Sequence, residues 1–204
     1  MPPDSHTVHS LQQLGALLGP VSEVSTRKEV PYIAAPYRAM IEASPFAILA
    51  TSGPDGLDAS PRGDAPGFVV VEDEKTLLLP ERRGNNRADS LRNLIGDPRM
   101  ALLFLIPGVG ETLRVNGRAR ISVAPDLLAR FVVRGQAPKC VLVIDVESAY
   151  YQCSRAVVRA QLWTAPAATG VPSAGQINAL MTDGAIDAEA FDRVQPARIE
   201  ATLY

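Results

Sequence analysis

A chain of 204 residues, 47% hydrophobic and 21% charged, has the length and composition of one globular domain with a core of its own, needing neither staples nor a second domain. Its formal net charge of -2 excludes a global field that would draw in nucleic acid or an anionic membrane, so any anion site must be local. Cys140 and Cys153 form no CxxC pair and have no histidine at metal-ligand spacing, which argues against a metal centre. His6 and His9 lie in the polar stretch MPPDSHTVHS and read as tail rather than catalytic base. No run approaches the roughly 18 apolar residues of a membrane span, and no charged start leads into an apolar stretch. A soluble, cytoplasmic protein without a membrane partner is expected.

Residues 7–43 carry helical spacing, with Leu11, Leu14, Leu17 and Leu18 on one stripe and a second helix predicted from Ala35 to Ala43. From Phe46 the pattern changes to short β-type runs separated by turns: FAILATS, GPDG, DASPRGD with GFVVVE, EDEK, then TLLLP. After ERRGNNR, the segment RADSLRNLIGDP places Leu91, Leu94 and Ile95 on one face and stops at Gly96 and Pro98, predicting a short helix. RMALLFLI, the turn PGVG and ETLRVNGRARISV predict an antiparallel hairpin. In its second strand Leu113, Val115, Ala119, Ile121 and Val123 alternate with Thr112, Arg114, Asn116, Arg118 and Arg120, one face core and the other polar. APDLLARFVVRG reads as a helix with Gly135 past its end, and KCVLVIDVESAYY as a long, largely buried strand. In CSRAVVRAQLW, Cys153, Ala156, Val157, Ala160 and Trp163 share a helical face, with Trp163 expected as a core anchor and Cys153 as a small buried residue. Residues 165–193 hold two weaker helices.

Six strands in mostly meander order, with only brief helices between them, predict a mainly β (α+β) fold: a six-stranded antiparallel barrel with flanking helices. GxGxxG, GxxxxGK[ST] and GxSxG are all absent, so the dinucleotide, P-loop and α/β-hydrolase readings lose their support. Function must then come from loops and polar faces. Arg118 and Arg120 read as solvated surface. Three other features converge: SPRGD with Arg62 and Gly63, ERRGNNR leading into a helix start, and Thr112, Arg114 and Asn116 on one strand face. A phosphate is held by guanidinium forks, small polar donors and the free N–H groups of a helix N-terminus, and Asn86 is the N-cap candidate there with Arg87 behind it.

Over residues 44–122, from SPFAILATSGPDG through SPRGD and ERRGNNRADSLRNLIGDPRMALLF to ETLRVNGRARIS, the chain resembles the FMN-binding split β-barrel proteins related to pyridoxamine 5'-phosphate oxidase. The resemblance implies an N-terminal helical cover (1–43), an FMN-binding split barrel (44–164) and a C-terminal helical extension (165–204). It also implies a homodimer with FMN at sites between subunits. Arg62 matches the second-strand arginine near the flavin phosphate, and Arg87 a basic position at the loop-to-helix junction. Leu79 and Pro80 stand at the strand end that passes along the isoalloxazine and ribityl chain. Thr112 takes the place of a glutamine contributed by the partner subunit, and Gly63, Asp64, Asn86 and Arg114 are neighbouring contacts. The oxidases carry two consecutive basic residues where this chain has Asn86 and Arg87, leaving Arg82 or Arg83 to supply the second charge.

The oxidases' arginine- and histidine-containing substrate segment has no counterpart in the ending DRVQPARIEATLY, so oxidation of pyridoxamine phosphate itself is not expected. The implied function is an FMN-dependent oxidoreductase acting on a small-molecule substrate or electron donor. The alternative is a binding module of the same fold that carries flavin, deazaflavin F420 or haem without turnover. Nucleic-acid binding is disfavoured by the acidic balance and by 5% aromatic content.

Overall fold

A computed structural model describes residues 6–204. Helices α1 (Leu11–Leu18), α2 (Glu23–Arg27) and α3 (Ala35–Ala43) lead into strands β1 (Phe46–Gly53), β2 (Gly56–Gly63), β3 (Val70–Val71) and β4 (Thr76–Glu81). Helix α4 (Asp89–Gly96) precedes β5 (Arg99–Leu105) and β6 (Thr112–Ser122), and α5 (Pro125–Ala129) precedes β7 (Cys140–Gln152). Helices α6 (Arg155–Arg159), α7 (Ala174–Met181) and α8 (Ala188–Ala201) complete the chain. No helix among the described residues is long and apolar enough to cross a membrane.

The strands form one sheet in the order β2-β1-β5-β6-β7-β4-β3, antiparallel at every pairing. The mainly β architecture with flanking helices is as expected, but the closed six-stranded count is not: seven strands make an open ladder whose edges are β2 and β3. GFVVVE explains the difference. Gly67, at φ 82°, turns the chain after β2, and only Val70 and Val71 of the following apolar run pair with β4. Phe68 and Val69 are buried without joining a strand. β2 stays at an edge, where the missing N–H of Pro61 is tolerated.

Alternation places the core. Ala47 and Leu49 of β1, Leu102 and Phe104 of β5, Leu113 and Val115 of β6, and Leu142 and Ile144 of β7 converge on one cluster with Leu77 and Leu79 of β4. Each such large side chain withdrawn from water contributes roughly 1.5–3 kcal/mol. β7 is apolar on both faces because it is covered on both: Val141 and Val143 pack with Leu78 and Phe131 in a second cluster. α3 closes the main core with Tyr37 and Ile41, one turn apart on one face. α4 lies on β1 through Leu94, whereas Ile95, expected on the same buried face, is 79% exposed.

In β6 the apolar positions turn inward as far as Ala119, while Val123, expected in the core, is 67% exposed beyond the strand's end. Gly117 marks a register shift against β7, and a Cβ there would lie 2.3 Å from the Asp145 carbonyl oxygen. That approach admits only glycine. α1 is capped by Ser10, which accepts the Gln13 N–H, but it buries no side chain, and Leu11 and Leu17 face solvent. Trp163 is 37% exposed and donates its indole N–H to the Val109 carbonyl, so it braces the β5–β6 turn instead of anchoring the core. Cys153 is exposed. α8 runs past residue 193, through Pro196, to Ala201.

Candidate functional site

The ends of β2 and β4 approach one another across the open side of the sheet without pairing, and side chains bridge them. Arg62 of β2 donates from Nε to the Glu81 carboxylate at 3.0 Å. Asp64, just past β2, accepts from Arg82 Nε at 2.8 Å. The two pairs run in opposite senses, acid and base exchanged between strands. Both are shielded: Arg62 and Glu81 side chains are 15% and 20% exposed, Arg82 and Asp64 17% and 6%. Burial by itself would raise the Asp64 carboxyl's pKa. The Tyr204 hydroxyl, the Ala65 N–H and Arg82 outweigh that and hold it below the ordinary carboxylate value.

Beside these pairs a cleft of about 430 Å³ is bounded by the β2 end, the loop after β4 and the start of α4. Four guanidinium groups, of Arg62, Arg82, Arg83 and Arg87, and two carboxylates, of Glu81 and Asp89, line it. Three of the four arginines are neutralised, Arg62 by Glu81, Arg82 by Asp64 and Arg87 by Asp89 at 2.9 Å. Arg82 also donates to the Phe131 carbonyl at 2.6 Å. Arg83 is exposed and has no hydrogen bond or ion pair among the described residues. It also lines an adjoining cavity of about 340 Å³ with Arg82, Asn86, Gln136, Lys139 and Tyr204.

The loop differs from the expected capping geometry. Asn86 is not the N-cap of α4; that position is Ala88, at φ 55°, with no side-chain cap. Asn86, itself at φ 62°, accepts from Lys139 Nζ at 2.7 Å and faces the adjoining cavity. Asn85 takes the local turn role, its Oδ1 accepting the Arg87 N–H at 3.0 Å. Asparagine is among the residues that tolerate the left-handed region, so the paired asparagines turn the chain before the helix begins. Consequently α4 starts without a side-chain acceptor for its first N–H groups, and Ala88, Asp89 and Ser90 face the cleft.

Of the residues singled out by sequence, Arg62, Gly63, Pro80 and Arg87 line the cleft together. Asp64 stands behind it, holding Arg82. Leu79 lies wholly in the core, because alternation turns it away from Pro80. Thr112 and Arg114 are not brought to this cleft: Thr112 Oγ1 donates to Gln152 at 3.3 Å, and Arg114 Nη1 to the Tyr150 hydroxyl at 2.7 Å. Sequence reasoning missed Ser60 and Ser90 at the cleft wall, tied by Asp58, which accepts from Ser60 at 3.2 Å and Ser90 at 2.8 Å. It missed Tyr204 as well, since 140 residues separate it from its partner Asp64.

The model of the pyridoxamine 5'-phosphate oxidase family matches residues 33–153, more than half of the chain, and the protein belongs to that family. No curated protein matches it. Among solved structures, HupZ of Group A Streptococcus is similar over 60% of this chain and 95% of its own, at 20% identity and a TM-score of 0.50, which establishes the shared fold. General stress protein 26 of Bacillus anthracis matches over 55% of this chain and 88% of its own, at 18% identity and a TM-score of 0.38. An FAD-binding protein of Mesorhizobium loti matches over 59% and 94%, at 17% identity and a TM-score of 0.39.

Proposed function

We propose that the protein is an FMN-dependent oxidoreductase acting on a small-molecule substrate or electron donor, with the flavin phosphate seated in the cleft between β2, β4 and α4. The observation that carries this reading is Arg83. Its guanidinium is not neutralised among the described residues, and it stands at a cleft whose rim includes the uncapped start of a helix. A free guanidinium fork and unsatisfied helix N–H groups are the donor set a phosphate dianion needs. Arg83, not Arg82, is then the residue that replaces the second basic position of the oxidases, since Arg82 is committed to Asp64 and to the Phe131 carbonyl.

Bound FMN would supply hydride or single-electron transfer at its isoalloxazine. The chain's own contribution is binding and orientation. Arg83 and the first turn of α4 hold the phosphate, Arg62 is kept in place by Glu81, and Pro80 presents an apolar wall without a backbone donor. Thr112 and Arg114, away from this cleft, are proposed to serve the site of a second subunit, so that the functional unit is a homodimer with FMN between its chains. A cytoplasmic location belongs to the same reading.

The absorption spectrum of the purified protein, with and without added FMN, tests the proposal. A flavin spectrum is expected, with one FMN per chain and a dimer mass by light scattering. A colourless protein that binds no added FMN overturns it, and a flavin-saturated monomer overturns the shared site. Reduction of the bound flavin by NADH or NADPH, with reoxidation by an acceptor, is expected of the enzyme, whereas an inert flavin supports the binding module.

A further inference from the structure

The helices α7 and α8 pack on one another, with the Ser173 hydroxyl and the Gly175 N–H both bonded to Asp192. Their link to the body of the molecule is of a different kind. The side-chain hydrogen bond and ring contacts that join this segment to the sheet end are those of Tyr204. Its hydroxyl donates to Asp64 Oδ1 at 2.7 Å, and its ring lies 5.5 Å from the Arg82 guanidinium carbon and 5.3 Å from that of Arg134. Asp64 therefore accepts from Arg82 on Oδ2 and from Tyr204 on Oδ1, which also accepts the Ala65 N–H.

Tyr204 is also a wall of the 340 Å³ cavity that Arg82, Arg83, Asn86, Gln136 and Lys139 complete. We propose that Tyr204 is the latch of a strap formed by α7 and α8, and that its release opens the cavity and uncovers the Arg82–Asp64 pair. One hydrogen bond and two cation–ring contacts make a closure tight enough to be the resting state and weak enough to open without unfolding the sheet. The opened face adjoins the cleft through Arg82 and Arg83, which line both, so the strap controls how small molecules approach that side of the cleft. The latch rests on Tyr204 geometry and stands whether or not a flavin fills the cleft.

Arginine modification by phenylglyoxal on the full chain, read residue by residue by mass spectrometry, tests the latch directly. Arg27, exposed on α2 and lining neither cavity, is the internal reference. Relative to Arg27, Arg82 is expected to react about tenfold faster in Tyr204→Ala than in the unaltered protein, with Tyr204→Phe in between, because phenylalanine keeps the ring but loses the Asp64 bond. Amide hydrogen exchange in residues 174–201 is expected to rise in the same order while β6 and β7 stay protected. An unchanged Arg82-to-Arg27 ratio in both variants overturns the proposal. So does faster exchange in the helices without any gain in Arg82 reactivity, which would leave a tether but no gate. A chain that shows the Arg82 effect but binds no FMN retains the latch and overturns only the flavin reading.

Discussion

Arg62 and Arg83 line the same cleft, but Glu81 neutralises the first and no group among the described residues neutralises the second. The two should therefore respond differently to substitution. Arg62→Ala strands the Glu81 carboxylate, only 20% exposed, and is expected to lower thermal stability as well as FMN affinity. Arg83→Gln leaves no carboxylate without its partner, and is expected to change stability by no more than about 0.5 kcal/mol. Its FMN affinity should fall about tenfold or more, the loss of a charge-assisted hydrogen bond of roughly 1.5–3 kcal/mol. Melting curves beside flavin fluorescence titrations separate the two cases. Equal affinities for Arg83→Gln and the unaltered protein would remove Arg83 from the phosphate site. Leu79 shows what residue-scale reading misses: next to Pro80 in sequence, it is on the opposite side of the strand and belongs to the core.

At the scale of elements, β6 and β7 form the longest pairing, and Gly117 is where their register slips. Only a residue without Cβ lets the Asp145 carbonyl come so close, so Gly117→Ala must push β7 away or break the pairing. A loss of about 2–4 kcal/mol is expected, readable as a lower denaturation midpoint with the slope unchanged. A silent substitution would show that the bulge can relax. The loop into α4 follows the same logic of backbone placement. Asn86 and Ala88 both sit in the left-handed region, which moves the helix start beyond Arg87 and leaves its first N–H groups uncapped toward the cleft. A capping asparagine at that point would have consumed a donor that a phosphate needs.

At the scale of the whole molecule, the contact between Tyr204 and Asp64 joins the end of the described chain to the strand edge, and its pH range follows from the two groups that titrate. The folded state depresses the Asp64 pKa below its ordinary 3.8, so the stabilisation is present above that value and is lost as pH falls through the lower folded value. The Tyr204 pKa is raised above 10.0, chiefly by its hydrogen bond to Asp64, so that contribution is present below 10.0 and is lost as pH rises through the higher folded value. Arg82 and Arg134 are the charged groups facing the ring. Protection of α8 against amide exchange, corrected for the intrinsic rate, is therefore expected to be flat from about pH 5 to 9. It should fall in acid before that of β6 and β7. Loss of protection within the neutral range would mean that another group controls the strap.

Much of this was legible in the sequence because it is set locally. Period-two alternation placed β1, β5 and β6, helical spacing placed α3 and α4, and the order of turns and basic segments carried the family, down to Arg62, Gly63, Pro80 and Arg87 around one cleft. What the tertiary structure decided depends on pairing between distant segments. Whether a guanidinium is spent or free is set by which carboxylate the fold brings to it, as with Arg62 and Glu81 or Arg82 and Asp64, and no local pattern records that choice. The open edge between β2 and β3 arises the same way, because an apolar run such as GFVVVE can be buried without a pairing partner. Local chemistry fixes the elements; the charge state of the site is fixed only by long-range contacts, which the chain closes when it folds.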